Sequence, residues 1–176
     1  MQFSIFKNQL INWQGKSLIF GVHNDDIDKQ LKKIDFIVDP KDLLKKLNNN
    51  KFTGDIGNSI SLDILGHNID YLIIIGLGDK NKLNSDVLRN SLSDCIRKVI
   101  DKEEKIGLLL PWDTIENNAI FDIAEALRLS VYKDNRFNKQ RDEKINLREI
   151  EFLNLQNNEN ISFREVEEIC QGVEFA

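Results

Sequence analysis

The sequence has little of several things that would point to a particular class of protein. It has no apolar run near the ~18 residues that a membrane-spanning helix needs. Its start lacks the charged region and the long apolar segment of a signal peptide. It has only two cysteines, Cys95 and Cys170, which fall on separate predicted helices without the spacing of metal ligands. These absences favour a soluble, cytoplasmic protein with reduced thiols.

Basic residues are too few for a protein that binds nucleic acid or a membrane surface. The chain has 24 Lys and Arg against 29 Asp and Glu, a formal net charge of −5, whereas such binders are normally basic. The composition itself is that of an ordinary globular protein, 41% hydrophobic and 30% charged over 176 residues. This length suits one domain with a small appendage.

Alternating and continuous apolar runs predict a set of strands. Ser59–Leu65 alternates apolar and polar residues, as in a half-exposed strand. It is predicted to form a hairpin with Tyr71–Ile75, whose continuous apolar run indicates a strand covered on both faces. The remaining predicted strands are Gln2–Phe6, Ser17–Val22, Lys105–Leu110 and Leu147–Leu155.

Helix signals fill the first half of the chain between these strands. Asn24 is the candidate N-cap of a helix with acidic residues in its first turn and lysines in its last. Asp39-Pro40 starts a second short helix, with proline at the position where a missing N–H is tolerated.

The second half has two longer helical patterns. Asn84 or Ser85 caps a helix whose apolar residues repeat as far as Ile100. Asp113 and Glu116 form an Asp-x-x-Glu start, a variant of the capping box, for the helix after the next strand. Strands that alternate with helices, with a hairpin on the sheet, predict an α/β domain with a mixed sheet.

The turn Gly76-Leu77-Gly78 follows a buried strand and raises the question of nucleotide binding. A dinucleotide-binding loop needs a third glycine where this chain has Asn81. It also needs a helix directly after the turn, so that N–H groups face the phosphate. Here several residues separate the turn from the predicted helix. The favoured interpretation is therefore a tight turn leaving a buried strand.

The other candidate residues carry no motif for catalysis. His23 and His67 lie near strand ends or turns, without an H-E-x-x-H pattern, and are interpreted as turn or surface residues. No motif supports a Ser–His–Asp or Cys–His site. Asp25-Asp26 is better explained as the first turn of a helix than as a metal pair.

Two further features have structural interpretations. The stretch 133–144 is densely charged, but its signs are mixed, which favours a solvated connection over a phosphate-binding patch. Trp13 and Trp112 are interpreted as core anchors rather than interface residues. No residue of this chain is therefore assigned a catalytic, cofactor-binding or metal-binding role.

The final segment begins a helix with strong start signals. Ser162 and Glu165 form a capping box, and Ile161 with Val166 forms a hydrophobic staple. The apolar stripe of this helix consists of Val166, Ile169, Cys170 and Val173. The helix then reaches Ala176 without a C-cap, and an isolated helix of this length is marginal in water. We therefore expect the chain to be a fragment that ends inside a linking helix.

Several segments, taken in order, resemble the N-terminal domain of the leucyl (cytosol) aminopeptidase family. Tyr71–Leu83 is similar to the family's strand and its GLG-K-KL turn, and the helix after it follows in the same order. In Ala124–Lys139, Tyr132 matches the first tyrosine of a family stretch, while Asn135–Phe137 departs from it. The segment EEICQGVEFA resembles the helix after which the family continues. The resemblance covers most of the chain from Ser59 onward.

The resemblance implies a macro-domain-like three-layer fold, a mixed sheet flanked by helices. It implies an N-terminal domain at 1–158 and, at 159–176, the start of a linker helix to a C-terminal catalytic domain. The parent protein would be a metallo-aminopeptidase with two divalent ions, manganese or zinc, bound by Asp, Glu and Lys of that second domain. The family's N-T-D-A-E-G-R motif does not occur in these residues, so no metal ligand is carried over to them.

The resemblance also implies what this domain does. It would be non-catalytic and inactive alone, and would serve in assembly or active-site access within a cytoplasmic hexamer. Its partners would be its own catalytic domain and other subunits, while peptides in intracellular protein turnover would be the substrates of the parent enzyme. Nucleic acid and membranes are not expected partners. Two alternatives stay open, a free-standing macro-like or Rossmann-like nucleotide-binding module and an assembly domain without a ligand.

Overall fold

A computed structural model of the protein describes residues 1–64, 69–101, 103–132, 147–155 and 162–175. Within these ranges the strands are β1 (Gln2–Phe6), β2 (Ser17–Val22), β3 (Ser59–Asp63), β4 (Tyr71–Gly76), β5 (Lys105–Leu109) and β6 (Glu149–Leu153). The α-helices are α1 (Ile27–Leu31), α2 (Pro40–Asn49), α3 (Ser85–Ile96), α4 (Asn117–Ser130) and α5 (Arg164–Phe175). None of these helices combines the length and the apolar character that crossing a membrane requires.

The strands form one six-stranded sheet in the order β1-β6-β5-β2-β4-β3. β3 pairs antiparallel with β4, and the other neighbouring strands pair parallel, which confirms the predicted mixed sheet. The chain runs from β2 to β4 on one side of β2 and later to β5 on its other side. The carboxyl end of β2 is therefore the topological switch point, where open α/β sheets bind ligands.

Strands distant in sequence meet at one edge of the sheet. β1 lies at that edge, and its sheet neighbour is β6, with Gln2 opposite Glu149 and Phe6 opposite Leu153. At the opposite edge the predicted hairpin is confirmed by the pairing of β3 with β4, in which Ser59 lies opposite Ile75. The residues of its turn, 65–68, lie outside the described ranges.

Helices cover the sheet on both faces, which confirms the predicted three-layer arrangement. Along β4, Leu72 and Ile74 belong to the core cluster that contains residues of α1 and α2. Ile73 and Ile75 belong to the cluster that contains residues of α3, α4 and α5. All four side chains are almost fully buried, so the continuous apolar run of this strand is explained by burial of both alternating faces.

The starts of α2 and α3 follow the predicted capping chemistry. The Asp39 carboxylate accepts a hydrogen bond from the Lys41 N–H, and Pro40 occupies the first helical position. The Asn84 side chain accepts from the Val87 N–H, so Asn84 rather than Ser85 is the cap of α3. In the final segment, the Ser162 hydroxyl accepts from the Arg164 N–H at 3.5 Å; Ile161 of the predicted staple is outside the described ranges.

Two predicted helix starts are wrong. Asn24 is not a cap: its side-chain amide donates to the Asp55 carboxylate, and α1 begins only at Ile27 after a left-handed Asp26 with φ of 48°. Around Asp113 the chain forms a 3₁₀ turn, Trp112–Thr114. α4 begins after Glu116, whose side chain makes no capping bond. At Asn24 a tertiary contact overrides the local sequence signal.

Some predicted elements are longer than the observed ones. The helix that was predicted to reach Ile100 ends at Ile96, and the chain continues in turns to Ile100. Val99 and Ile100 are nevertheless buried in the core cluster beneath α3 and α4. The apolar repeat therefore predicted burial correctly but not the type of backbone, because turn residues can also bury side chains.

Candidate functional site

The turn Gly76-Leu77-Gly78 lies directly beside the topological switch point. Its three backbone donors are all used within the protein. The Gly76 N–H donates to the Asn58 carbonyl (2.8 Å), the Leu77 N–H to the Val22 carbonyl (2.8 Å), and the Gly78 N–H to the Gly54 carbonyl (2.9 Å). A phosphate cradle requires backbone N–H groups that face a ligand. This turn therefore lacks the donors that the nucleotide-binding alternative needs.

Both glycines are required by the close approach of residues 54–56. A Cβ on Gly76 would lie 2.3 Å from the Asp55 carbonyl oxygen and 2.5 Å from the Gly54 carbonyl carbon. Gly78 has a φ of +69°, and its Cβ would lie 2.8 Å from Cγ1 of Ile56. Glycine is the residue that fits such positions. The interpretation as a tight turn leaving a buried strand is therefore confirmed.

His23 follows β2 and is the residue that sequence reasoning misjudged. It lies at a strand end as predicted, but it is only 4% exposed and is therefore not a surface residue. Its Nδ1 lies 3.2 Å from the Gly78 carbonyl oxygen and its Nε2 lies 3.0 Å from the Thr114 hydroxyl. These partners are 55 and 91 residues away in the sequence, so no local pattern could have revealed them.

The environment of His23 indicates a structural role. The Gly78 carbonyl can only accept a hydrogen bond, so Nδ1 carries a proton. The Thr114 hydroxyl has one proton, which it can donate either to the Pro111 carbonyl at 2.8 Å or to Nε2 of His23. Both ring nitrogens are thus engaged by groups that connect the ends of β2, β4 and β5. Such an imidazole joins three loops and is not poised as the base of a nucleophile.

Replacing His23 by alanine is expected to destabilise the protein by roughly 1–3 kcal/mol, because the hydrogen bonds of its ring to the Gly78 carbonyl and the Thr114 hydroxyl are both lost, while the Asn24 N–H still donates to that carbonyl at 3.1 Å. Urea unfolding of the variant would measure this loss. Asn81→Ala, an exposed change near the same turn, serves as the control and should fall within about 0.5 kcal/mol of the parent protein. An unchanged midpoint for His23→Ala would show that the imidazole does not hold these loops together.

A groove of about 350 Å³ opens beside His23, between the segment after β4 and the segment after β5. Its lining includes Lys80, Asn84, Ser85, Thr114 and Glu116. The polar groups are largely engaged with the protein: Lys80 pairs with Asp25 at 3.8 Å, and the Asn84 side chain caps α3. The groove lies at the edge of the sheet where α/β proteins bind ligands. Its lining contains a positive charge, Lys80, and a negative charge, Glu116, so it does not indicate which cofactor would bind.

A second polar cluster lies on the sheet near its other edge. The Trp13 indole N–H donates to the Glu151 carboxylate at 2.8 Å. Lys105 bridges Glu149 at 3.2 Å and Glu151 at 3.1 Å. Burial alone would lower the pKa of Lys105, but the hydrogen bonds and charges of Glu151 and Glu149 outweigh it and raise the pKa. Lys105 is thereby stabilised in its charged form, and its ion pairs link β5 to β6.

Trp13 is a core anchor, as predicted, whereas Trp112 is half-buried and packs against the core. Trp13 is 2% exposed. The ring of Trp112 packs 5.6 Å from that of Phe152, and its indole N–H donates to the Leu153 carbonyl at 2.7 Å. Trp13 is therefore held by burial and Trp112 by its contact with Phe152. One hydrogen bond satisfies the indole N–H of each ring.

The remaining candidates show no metal chemistry. Asp25 and Asp26 precede α1 rather than forming its first turn. Within the described part of the chain, no group of three or more His, Cys, Asp or Glu side chains is arranged to hold a metal ion. His67 and the charged stretch 133–144 lie outside the described residues.

Both cysteines, Cys95 and Cys170, are buried. The pKa of Cys95 is raised from its ordinary value of 9.0 to about 11, chiefly by burial; the charge of Lys98 works against this rise and that of Asp94 adds to it. Such a thiol is a weak nucleophile at neutral pH. Cys95 is therefore a core residue on the buried face of α3 rather than a reactive group.

This raised pKa predicts a loss of stability at high pH. In the unfolded chain the thiol ionises near pH 9.0, whereas in the folded protein it stays protonated up to about pH 11. The contribution of the Cys95 thiol to the free energy of unfolding is therefore complete below pH 9 and is lost as the pH rises from about 9 to about 11. Urea unfolding at about pH 8 and about pH 10.5 should show a smaller pH-dependent loss for Cys95→Ala than for the parent protein. Equal losses would contradict the assignment.

Together, the fold and the candidate site define a class of protein. It is a three-layer α/β domain with a mixed sheet. The backbone N–H groups of the turn at its switch point all donate to carbonyls of the same chain. Residues 19–141 match the family model described as cytosol aminopeptidase family, N-terminal domain. The chain therefore belongs to the cytosol aminopeptidase family, as the resemblance of its sequence indicated.

Relatives in cyanobacteria are similar over the whole of this chain. A probable cytosol aminopeptidase of Prochlorococcus marinus strain MIT 9312 is 54% identical over 177 aligned residues, and that of strain MIT 9211 is 36% identical. The alignment covers 100% of this chain but 36% of each relative. The chain thus spans about a third of the length of the relatives it matches.

Solved structures share the fold at low sequence identity. A mutant of tomato leucine aminopeptidase has a TM-score of 0.79 at 20% identity, over 98% of this chain and 36% of that one. The bottromycin maturation enzyme BotP, in complex with Mn, has a TM-score of 0.55 at 12% identity, over 92% of this chain and 30% of that one. At these identities the comparison supports the architecture alone.

Proposed function

We propose that this chain is the non-catalytic N-terminal domain of a two-metal leucyl aminopeptidase, which removes N-terminal residues from peptides in cytoplasmic protein turnover. The match of residues 19–141 to the family's N-terminal domain is the observation that carries the proposal. The relatives extend well beyond the aligned part, which leaves room for a catalytic domain. Manganese or zinc would be bound there and would activate water and polarise the peptide carbonyl.

The contribution of this domain would be assembly or control of access to the active site. Two observations support a scaffolding role. The switch-point turn has its donors filled by backbone, and His23 is engaged on both ring nitrogens. We propose that the complete enzyme is a hexamer in which this domain takes part in the subunit contacts.

Hydrolysis of a leucine anilide by the complete polypeptide tests the proposal. The complete protein should be active with added Mn²⁺ or Zn²⁺, and a chelator should abolish the activity reversibly. The 176-residue chain should show no activity with either metal. A complete protein that is folded and metal-loaded but inactive on aminoacyl anilides and peptides would overturn the proposed activity, and a monomer in sedimentation experiments would overturn the proposed assembly.

A further inference from the structure

Two exposed apolar side chains lie one helical turn apart on α5. Among the described residues the large hydrophobic side chains that are well exposed are Ile11, Ile56, Tyr132, Ile169 and Val173. Single exposed hydrophobic residues are ordinary on protein surfaces. Ile169 and Val173, however, are 51% and 52% exposed, and their i, i+4 spacing places them on the same face of one helix.

The apolar surface of α5 is wider than the part that the domain itself covers. Val166 and Cys170 are 4% and 0% exposed, and both belong to the core cluster shared with α4. These two residues already supply the stripe that attaches the helix to the domain. A surface helix with one covered face normally has polar residues beside that stripe, whereas α5 has Ile169 and Val173 there.

Gly172 adds an independent feature to the same side of the helix. It lies three residues after Ile169 in the interior of α5, and a Cβ at this position would meet nothing within 4 Å. A glycine in the interior of a helix costs about 1 kcal/mol relative to alanine. No contact with another described residue requires this glycine, but the absence of a side chain would let a second backbone approach the helix closely.

We propose that Ile169, Gly172 and Val173 form a docking surface for the C-terminal part of the complete polypeptide. This inference rests on the proposed function, because it takes that part to follow the domain, as in relatives of which this chain spans 36%. The surface is called the α5 docking stripe below. It lies on the last described helix, so the occupant that follows in the chain would be held nearby.

The size of the stripe favours an occupant on the same chain over a second copy. A stable interface between separate chains buries at least about 1,000 Å² in total, and two half-exposed side chains supply a small fraction of that area. Covalent linkage gives the following segment an effective concentration near the millimolar range. A small apolar stripe is therefore sufficient for a tethered partner.

The charges beside the stripe indicate the chemistry of the docking partner. Glu165 and Glu168 are exposed on α5, and its last turn contains no basic residue. The side chain of Arg164 is already bonded to Glu168 at 2.9 Å. A complementary surface would have an apolar centre with Lys or Arg at its rim, because opposite charges across an interface select the correct partner and orientation.

Thiol labelling of the complete polypeptide tests the docking stripe. Ile169→Cys introduces a thiol into the stripe, and Ile56→Cys introduces one at an equally exposed control position, 51% in both cases. Alkylation with iodoacetamide is followed at each position by peptide mass spectrometry. The thiol at position 169 should react at least about tenfold more slowly than the thiol at position 56, since it is covered except during transient opening. Val173→Cys provides a second position if Ile169→Cys disturbs docking.

Each result decides between the possible occupants. Equal reaction rates at positions 56, 169 and 173 would overturn the proposal. Protection that disappears on dilution to monomers would assign the stripe to a second copy and would also overturn it. Anilide hydrolysis is measured on the same samples: an active enzyme with unprotected thiols leaves the proposed function standing, whereas protected thiols in an inactive protein leave the docking stripe standing.

Discussion

Gly76→Ala should destabilise the domain by about 3 kcal/mol or more. The added Cβ would lie 2.3 Å from the Asp55 carbonyl oxygen and 2.6 Å from the Gly54 carbonyl oxygen. Both obstacles are backbone atoms, and the Gly76 N–H is itself bonded to the Asn58 carbonyl, so relief would require movement of a whole loop. Overpacking usually costs about 1–3 kcal/mol and more where the surroundings cannot yield.

Urea unfolding at neutral pH measures this effect, and the chain has a matched control. Gly57 also has a positive φ, +84°, but a Cβ there would meet nothing within 4 Å. Gly57→Ala should therefore cost only the roughly 1–2 kcal/mol of a left-handed backbone at a residue with a Cβ. If Gly76→Ala were no more destabilising than Gly57→Ala, the close approach of residues 54–56 to the turn would be refuted.

Phe152→Ala is the second change with a large expected effect, a loss of about 3–5 kcal/mol. The side chain of Phe152 is fully buried and lies at the centre of an aromatic cluster. Its ring centroid is 4.9 Å from that of Phe163, 5.6 Å from that of Trp112 and 6.1 Å from that of Phe3. Its removal leaves a cavity and takes away the surface on which the start of α5 packs.

Two measurements separate global from local loss in this variant. Chemical unfolding gives the change in free energy, and amide hydrogen exchange shows whether α5 loses protection before the rest of the domain. Phe36→Ala removes a half-buried ring and should cost clearly less, about 1–2 kcal/mol. A Phe152→Ala protein with unchanged exchange in α5 would show that the helix is held by contacts other than this cluster.

Much of the fold could be predicted from the sequence because its strands carry local signals. The unbroken apolar run of β4 indicated coverage of both faces, and the alternation of Ser59–Leu65 indicated a half-exposed neighbour. Both strands are in the sheet as predicted. The helix start at Asp39-Pro40 was recognised, and Asn84 was one of two candidate caps of α3, since a cap bonds to a backbone N–H two or three residues away.

The failures have the opposite character, because they involve partners that are distant in sequence. The local pattern around Asn24 resembles a helix cap, but its amide bonds to Asp55, 31 residues away. The sequence around His23 indicated a turn residue, whereas in the fold its ring contacts the Gly78 carbonyl and the Thr114 hydroxyl. The candidate site is assembled from ends of three strands, so its geometry could not be read from any one segment.

The pairing of the first strand with the last has a consequence for synthesis on the ribosome. β1 is complete after Phe6, but its sheet neighbour β6 is Glu149–Leu153. At the usual rates of translation, roughly 10 to 30 seconds separate these two segments. During that interval Phe3, which is buried in the finished domain, has no sheet edge to join. β1 is therefore synthesised long before its sheet neighbour, which makes this segment a natural site for early chaperone contact.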